Sequence, residues 1–335
     1  MPHPAVYLDH AATTPVRAEV LDAMLPFLGA GAFGNPSSAH RFGRTARAGL
    51  EEARRQVAAA VGAEPNQVVF TSGGTEADNL AVVGAALAAG AAGRPMHAVA
   101  CATDHKAVLA AAHAVARLGG SESILPVDTR GVLDLAALDR VLATRPAVVS
   151  VMWVNNEVGT VQPVADIGRR CRAADVMFHT DAVQAFGQVP VSVQAAEATL
   201  LTLSGHKIGA PKGIGALIVQ SRAAVEAIIH GGSQQFGLRA PHVLSVAVPG
   251  ADAEALLMHL DLQGVAASGG SACMTGAAEP SHVLTAMGVP RALALCTVRF
   301  SLGRETTPAD VDRAAEVFPA VVAKVRKLAG VLGRA

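Results

Sequence analysis

Short apolar, β-branched runs recur along this chain with alanine-rich stretches between them, and that alternation restricts its fold more than any other feature. The runs are VVF at 68–70, HAVAC at 97–101, AVVSVMW at 147–153, VMFHT at 176–180 and LLTLS at 200–204. They are short and apolar on both sides, as expected of strands buried on both faces of a sheet. Residues 76–89, 106–117, 135–142 and 164–174 lie between them and carry helix formers with one apolar face. Strand and helix in alternation imply crossover units, hence an α/β fold with a mostly parallel sheet flanked by helices.

After residue 232 the texture changes. A glycine- and glutamine-containing segment, GGSQQFGLRAP, leads to an expected strand at 243–248, a helix at 252–260 and the small-residue stretch SGGSACMTG at 268–276. A strand-like TVRFSLG and a helix at 309–328 follow, the latter opened by Thr307-Pro308 with Asp310, a pattern suited to a helix amino terminus. A second, smaller α+β domain is expected here. Residues 15–239 would form the large domain, and 1–14 with 240–335 the small one.

Of the 335 residues 51% are hydrophobic and 16% charged, enough to bury a large core and inconsistent with disorder. Twenty-seven basic residues balance 27 acidic ones, so there is no electrostatic footprint for general nucleic-acid or membrane-surface binding. The uncharged stretch 79–93 is too short and too rich in alanine and glycine to span a bilayer, and MPHPAVYLDHAATTP lacks the pattern of a secretory signal. Cys101, Cys171, Cys273 and Cys296 lie far apart with no CxxC pair. Neither a disulfide framework nor a metal site is indicated, and a reducing, cytoplasmic setting is expected. Small-molecule chemistry is the class that remains.

Several residues at predicted strand ends could carry such chemistry. In VVFTSGGTEADNL a strand meets a helix through a glycine-rich turn, so free N–H groups and the positive helix end would face an anion there. The same turn could equally be only a turn. It lacks the endings of nucleotide-triphosphate and dinucleotide motifs, so the ligand need not be a nucleotide. Lys207 in SGHKIGAPKGIG follows a nearly uncharged strand; it is either a partly desolvated nucleophilic amine or a lysine reaching solvent. Asp181 and Gln184 in HTDAVQ follow another strand, where a carboxylate would face a ligand crevice or merely cap a helix. His105 in DHKAV and the pair Asn155-Asn156 in VNNEVG are placed likewise, each with a turn role as the alternative. Taken together, a lysine, an acid and an anion cradle converging on one crevice describe a pyridoxal phosphate pocket.

On these segments the chain resembles the cysteine desulfurases of the NifS/IscS type, within the fold-type I, class V aminotransferase group. The matching stretches include YLDHAATTP, FGNPSSAHRFGR, FTSGGTEADNLA, DHKAVL, VNNEVGTVQP, HTDAVQAFG, SGHKIGAPKGIGAL, SGGSACMTGAAEPSHVL and VRFSLGR. The resemblance implies that Lys207 holds pyridoxal phosphate covalently, Asp181 pairs with its ring nitrogen, Gln184 bonds its ring hydroxyl, and His105 stacks on the ring and assists proton transfer. It places Gly74, Thr75, Ser204 and His206 at the phosphate and Asn156 near the cofactor. Arg299 would take the substrate carboxylate, with Asn35 as a second candidate. Cys273 would accept sulfur from L-cysteine, leaving alanine and a persulfide, in a loop flexible enough to carry sulfur outward. Cys101, Cys171 and Cys296 read as small buried hydrophobes. A homodimer and a sulfur acceptor, such as an iron-sulfur scaffold, are also implied.

The chain departs from this family after Arg239, which runs directly into Ala240-Pro241-His242-Val243 where members continue with Ser-Gly-Thr and a long helix. The missing stretch bears on cofactor affinity, dimer geometry and domain closure, and leaves the small domain truncated. Smaller departures are Met274-Thr275 in the cysteine loop and Ser233-Gln234-Gln235-Phe236 ahead of the break. Two readings follow: a working desulfurase, or a catalytically poor relative acting as a partner-binding or regulatory subunit. Within the enzyme class, a selenocysteine lyase or class V aminotransferase is the alternative.

Overall fold

The computed structural model describes residues 6–221, 223–229, 243–269, 280–301 and 306–332. Cys273 with its loop, and the chain on both sides of Arg239, lie outside these residues. The chain divides into two compact units, Met1–Ala23 with Glu51–His230, and Met24–Leu50 with Gly231–Ala335. This division differs from the sequence expectation in that residues 24–50, expected in the large domain, fall with the second unit, while residues 1–14, expected in the small domain, fall with the first. For residues 1–14 the reason is hydrogen bonding: the Thr14 N–H and hydroxyl both donate to the His206 carbonyl, at 2.8 and 3.0 Å. The Gly209 N–H donates in turn to the Thr14 hydroxyl at 2.8 Å.

Two helices that the sequence reading did not anticipate, α1 (Ala18–Leu28) and α2 (Arg41–Val61), precede the first strand. The first unit is built on a seven-stranded sheet: β1 (Val68–Thr71), β2 (His97–Cys101), β3 (Ser121–Leu125), β4 (Val148–Ser150), β5 (Met177–Asp181), β6 (Leu200–Ser204) and β7 (Gly215–Val219). Their order is β1-β7-β6-β5-β4-β2-β3. Pairings from β3 through β6 are parallel, whereas β7 runs antiparallel to both β6 and β1, so β7 alone of these seven is reversed. The other six therefore end on the same edge of the sheet.

All five expected strands are present. The run at 147–153 is a strand only over Val148–Ser150, because beyond Ser150 the chain bends away, although Val151 and Trp153 still donate to β5 carbonyls. Strand β3, SESIL, carries no apolar run because it is an edge strand with one partner. Helices α3 (Gly74–Ala91), α4 (Lys106–Arg117), α5 (Leu135–Leu142) and α6 (Val164–Ala173) fall where helix formers with an apolar face were read.

Successive residues of each central strand serve opposite faces, which is why no in–out polarity is visible in the sequence. On one face Val149, Phe178, Leu201 and Ile218 pack with Leu138 of α5 and Ile167 of α6. On the other, Val148, Leu200 and Leu217 pack with Ala77, Ala81, Val82 and Ala85 of α3 and with Val108 and Ala111 of α4.

The second unit carries β8 (Val243–Ala247), α7 (Ala253–Leu262), β9 (Ser268–Gly269), α8 (His282–Ala286), α9 (Arg291–Ala294), β10 (Thr297–Ser301) and α10 (Pro308–Leu332). Its sheet is antiparallel in the order β8-β10-β9, the α+β character expected, and its core gathers Leu256, Leu260, Val298, Val317 and Val321. Helix α10 starts as Thr307-Pro308 foretold: the Thr307 N–H and hydroxyl both donate to Asp310 at 2.8 Å, while the Asp310 N–H returns to the Thr307 hydroxyl at 3.3 Å.

Phe178 is 0% exposed at the centre of the first unit's sheet. Replacing it with Ala should cost about 3–5 kcal/mol of unfolding free energy, read as a lowered denaturant midpoint with an unchanged m value.

Candidate active site

Six strands end on one edge of the sheet, and the loops that follow five of them supply most of the wall of a cavity of about 420 Å³. This is the crevice that parallel sheets offer to ligands, at a volume suited to a small organic molecule. From β1 come Gly74 and Thr75, from β2 His105, and from β4 Asn156. From β5 come Asp181 and Gln184, and from β6 Ser204, His206 and Lys207. Nine residues singled out in the sequence thus meet at one place.

Each loop is shaped by its own hydrogen bonds. Helix α3 begins immediately after Gly73 with no side chain capping its first turn. Its turn is braced instead by Glu76, which accepts from the N–H and hydroxyl of Ser72 at 2.7 and 2.5 Å and is held below the usual carboxylate range by those bonds. Uncapped N–H groups at a helix start, with a hydroxyl from Thr75 and another from Ser204, are donors suited to an anion. Gly215 on β7 makes room for this turn: a Cβ there would meet the Gly73 carbonyl carbon at 2.6 Å and its Cα at 2.8 Å.

His105 both caps α4 and lines the cavity. Its Nδ1 accepts from the Ala107 N–H at 3.1 Å, so in the neutral ring the proton sits on Nε2. Asn155 is the structural member of its pair: it bonds the Thr103 carbonyl at 2.8 Å and takes the N–H groups of Glu157 and Val158, both at 2.9 Å. That anchorage leaves Asn156 to the cavity.

Lys207 does not run out to solvent. Its Nζ donates to the carbonyls of Ala11 and Ala12 at 2.5 and 2.9 Å, and Gln184 shares the Ala11 carbonyl at 2.8 Å. Partial burial draws the Lys207 amine below the ordinary lysine range, against the pull of Asp181 and Asp9. His206 is lowered too, by burial first and then by Lys207 and Lys212, and its Nδ1 lies 3.1 Å from the Thr13 hydroxyl.

Asp181 is buried at the cavity wall, where burial raises its carboxyl above the usual range against the Val183 N–H, His105 and Lys207. Its Oδ1 accepts that Val183 N–H at 2.9 Å, so the local turn role and the cavity role coexist. Asp104 lies behind, pushed up to about 8 because burial outweighs the N–H bonds it receives from Met152 and Cys101. His179, wholly buried two residues before Asp181, is pushed down to about 3 by burial. Such an arrangement can seat an anion, hold a proton on a heteroaromatic nitrogen and offer an amine to a carbonyl carbon.

The sequence reading did not name Asp9, Ala11, Ala12, Asp78, Met152 or Val183, which also line the cavity. Ala11 and Ala12 act through carbonyls, which no residue type announces. Asp78 carried a signal: it lies one helical turn after Gly74, on the face that Gly74 presents. Arg299 and Asn35 belong to the second unit. Arg299 is exposed on β10 opposite Ser245 and Ser268, and the Asn35 side chain accepts the Ser37 N–H at 2.9 Å. Cys273 lies outside the described residues, while Cys101, Cys171 and Cys296 are buried as expected. No helix among the described residues is long and apolar enough to cross a membrane.

A mostly parallel sheet flanked by helices, with lysine, aspartate and anion cradle at one edge, defines a fold-type I transferase. The pattern of the aminotransferase class-V family matches residues 6–237 and 232–314, and the chain belongs to that family. It is 37% identical to the cysteine desulfurase IscS of Dictyoglomus turgidum over 380 aligned positions, covering 96% of both chains. With a cysteine desulfurase of Gluconacetobacter diazotrophicus it shares 39% over 383 positions, 97% of this chain and 95% of the relative. Among solved structures, a NifS-like protein superposes with a TM-score of 0.65 at 28% identity, covering 97% of this chain and 99% of that one. SspA in complex with cysteine gives 0.63 at 31%, over 89% and 99%. The 380 aligned positions exceed the 335 residues of this chain, so the relative carries sequence with no counterpart here. The family match breaks at 232–237, just ahead of the Arg239–Ala240 junction.

Two outcomes are expected. Gly215→Ala should push the 72–75 turn, lowering stability by about 1–3 kcal/mol and weakening binding of a phosphate-bearing ligand in equilibrium titration. For His179 the folded pKa of about 3 lies below the unfolded value, so between the two the unfolded chain binds more protons and stability rises with pH. This contribution is complete above about pH 6.5 and is lost as pH falls toward 3. His179→Gln should therefore reduce the slope of unfolding free energy against pH, relative to the parent, by up to about 1.4 kcal/mol per pH unit in that window.

Proposed function

We propose that this chain is a pyridoxal phosphate-dependent cysteine desulfurase that converts L-cysteine to L-alanine and receives the sulfur on Cys273. The observation that carries this reading is the meeting of Lys207, Asp181 and the uncapped start of α3 on one cavity. The donors fit the cofactor. Gly74, Thr75, Ser204 and His206 would hold the phosphate, Asp181 the ring nitrogen, Gln184 the ring hydroxyl, and Lys207 the carbonyl carbon, with His105 and Asn156 beside the ring. When bound, the cofactor supplies an electron sink that weakens bonds at the substrate's Cα and Cβ.

The chain's own groups do the rest. Lowered basicity leaves more of the Lys207 amine unprotonated at working pH, where it can take and return a proton at the substrate Cα. Asp181, steadied by the Val183 N–H, would keep a proton on the ring nitrogen of a bound cofactor. The fixed tautomer of His105 presents an Nε2 proton to the substrate side. Cys273, as thiolate, bonds to the substrate sulfur as the C–S bond breaks; the carbon gains a proton, alanine leaves, and the sulfur stays on Cys273 for an acceptor thiol. Arg299 and Asn35 are proposed for the substrate carboxylate.

We also propose a cytoplasmic homodimer that passes sulfur to an acceptor protein such as an iron-sulfur scaffold. Helix α1 supports the dimer, since none of its residues is buried and Leu21, Leu25 and Leu28 form an exposed apolar stripe. The likeness to SspA in complex with cysteine supports the substrate. The absent family segment favours a second reading, a catalytically poor subunit that binds a partner. Turnover separates the two.

The purified protein with pyridoxal phosphate should show a visible absorption band that shifts on adding L-cysteine. Lys207→Ala should abolish the band's covalent character, and Cys273→Ala should keep the band while alanine release falls to background. Unchanged alanine release in the Cys273 variant would sink the mechanism; a bound cofactor with no turnover in the parent would favour the partner-binding subunit.

A further inference from the structure

Asp78 shares the cavity wall with Asp181, yet it is 1% exposed and its Oδ1 has no hydrogen-bond partner. That oxygen lies 3.7 Å from Nε2 of His179. The His179 ring is gripped at both nitrogens, by the Ser150 hydroxyl at 2.8 Å from Nδ1 and the Thr202 hydroxyl at 3.0 Å from Nε2. The Thr202 hydroxyl also acts on Asp78, drawing its carboxyl down against burial and Asp181. Ser150, His179 and Thr202 thus form a chain of hydrogen-bonding groups across β4, β5 and β6, and Asp78 on α3 stands beside its histidine.

The charged and titratable groups around Asp78 are few. Asp181 faces it from β5, Asp104 from the loop after β2, and His179 from β5; His105 and Lys207 face Asp181. Ionised, Asp78 would leave a bare oxygen in a dry setting and set a second anion beside Asp181 with no cation of its own. Protonated, it sets no second charge beside Asp181 and leaves a neutral oxygen in that dry setting, which costs less than an anionic one. Burial, reinforced by Asp181, pushes its carboxyl well above the usual range.

We propose that Asp78 is a positioning residue of this site, an uncharged carboxylic acid set beside Thr202 and His179 that leaves the anionic role at the ring nitrogen to Asp181. The inference rests on the cofactor reading of the cavity. It goes beyond the residues that reading assigns, because Asp78 acts through Asp181 and not on the ring.

The test is the affinity of the apo-protein for pyridoxal phosphate, read by quenching of the single tryptophan, Trp153, with thermal unfolding of each apo-variant alongside. Asp78→Asn retains an uncharged amide of the same shape and should bind within about threefold of the parent across about pH 6 to 8. Asp78→Ala should bind about tenfold or more weakly, so that Asn rescues what Ala loses. Binding by the parent should fall where rising pH ionises Asp78, an alkaline limb that Asp78→Asn should lack. Thr202→Val, which removes the hydroxyl that draws the Asp78 carboxyl down and keeps the shape, should weaken binding and move that alkaline limb to higher pH; it serves if the Asp78 variants do not fold. An Asp78→Asn protein that folds normally but binds as weakly as Asp78→Ala would overturn the uncharged role. So would parental binding by Asp78→Ala or, if that is the variant in hand, by Thr202→Val. No binding by the parent itself would sink the cofactor reading and this inference with it.

Discussion

Helix α3 can serve the site only because it is buried nearly all round, and the rest of the first unit is arranged to allow that. Its inner side is alanine against β6 and β7, where Ala77, Ala81 and Ala85 let the helix axis approach the sheet. Its outer side is covered by α4 and by the chain at 223–229, whose Glu226 N–H donates to the Gly84 carbonyl at 3.0 Å. At Gly84 a Cβ would meet the Glu226 carbonyl oxygen at 2.6 Å, so this covering requires glycine. A helix apolar on every side has no choice of face to present to solvent. Held this way, α3 aims its uncapped amino terminus at the strand ends, and the anion cradle, Asp78 and the cavity wall all follow from its placement.

Desolvation then sets the chemistry. Asp78, Asp104 and Asp181 are buried within electrostatic reach of one another, and burial raises all three. Only Asp181 is faced by Lys207 and His105, which favour its ionised form. Burial acts on Lys207 in the opposite sense, lowering a cation's pKa, so the same dry cavity that raises the acids also frees an amine. The carbonyls of Ala11 and Ala12 give that amine a fixed resting position, and the hydrogen bonds of Thr13 and Thr14 to the turn at His206 keep residues 11–14 in place.

Much of the site was legible in the sequence because it depends on local patterns. The turn SGGT between strand and helix, Asp181 after a buried strand, Lys207 before a glycine-rich turn and the Asn155-Asn156 pair each declared a strand end. Roles that depend on contact across the fold were not legible. His179 looked like one more residue of a strand, and only the neighbouring strands reveal that Ser150 and Thr202 flank its ring. Helices α1 and α2 carry no clear apolar-face signal, because one contains Pro26 and has Glu19 and Asp22 among its apolar residues, while the other is densely charged, with ion pairs at three-residue spacing such as Arg55 to Glu52.

By itself the sequence determined the class of fold, since apolar runs buried on two faces and alanine-rich helices can satisfy their backbones only as a sheet covered on both sides. It also determined which residue types stand at strand ends, and so the family to which the chain belongs. Tertiary structure decided the strand order, with β7 reversed between β1 and β6, because pairing partners are chosen by packing across long sequence separations. It decided as well how the three neighbouring aspartates differ, because that rests on how much water reaches each carboxyl and which of them faces Lys207 and His105. Neither quantity is a property of any local segment.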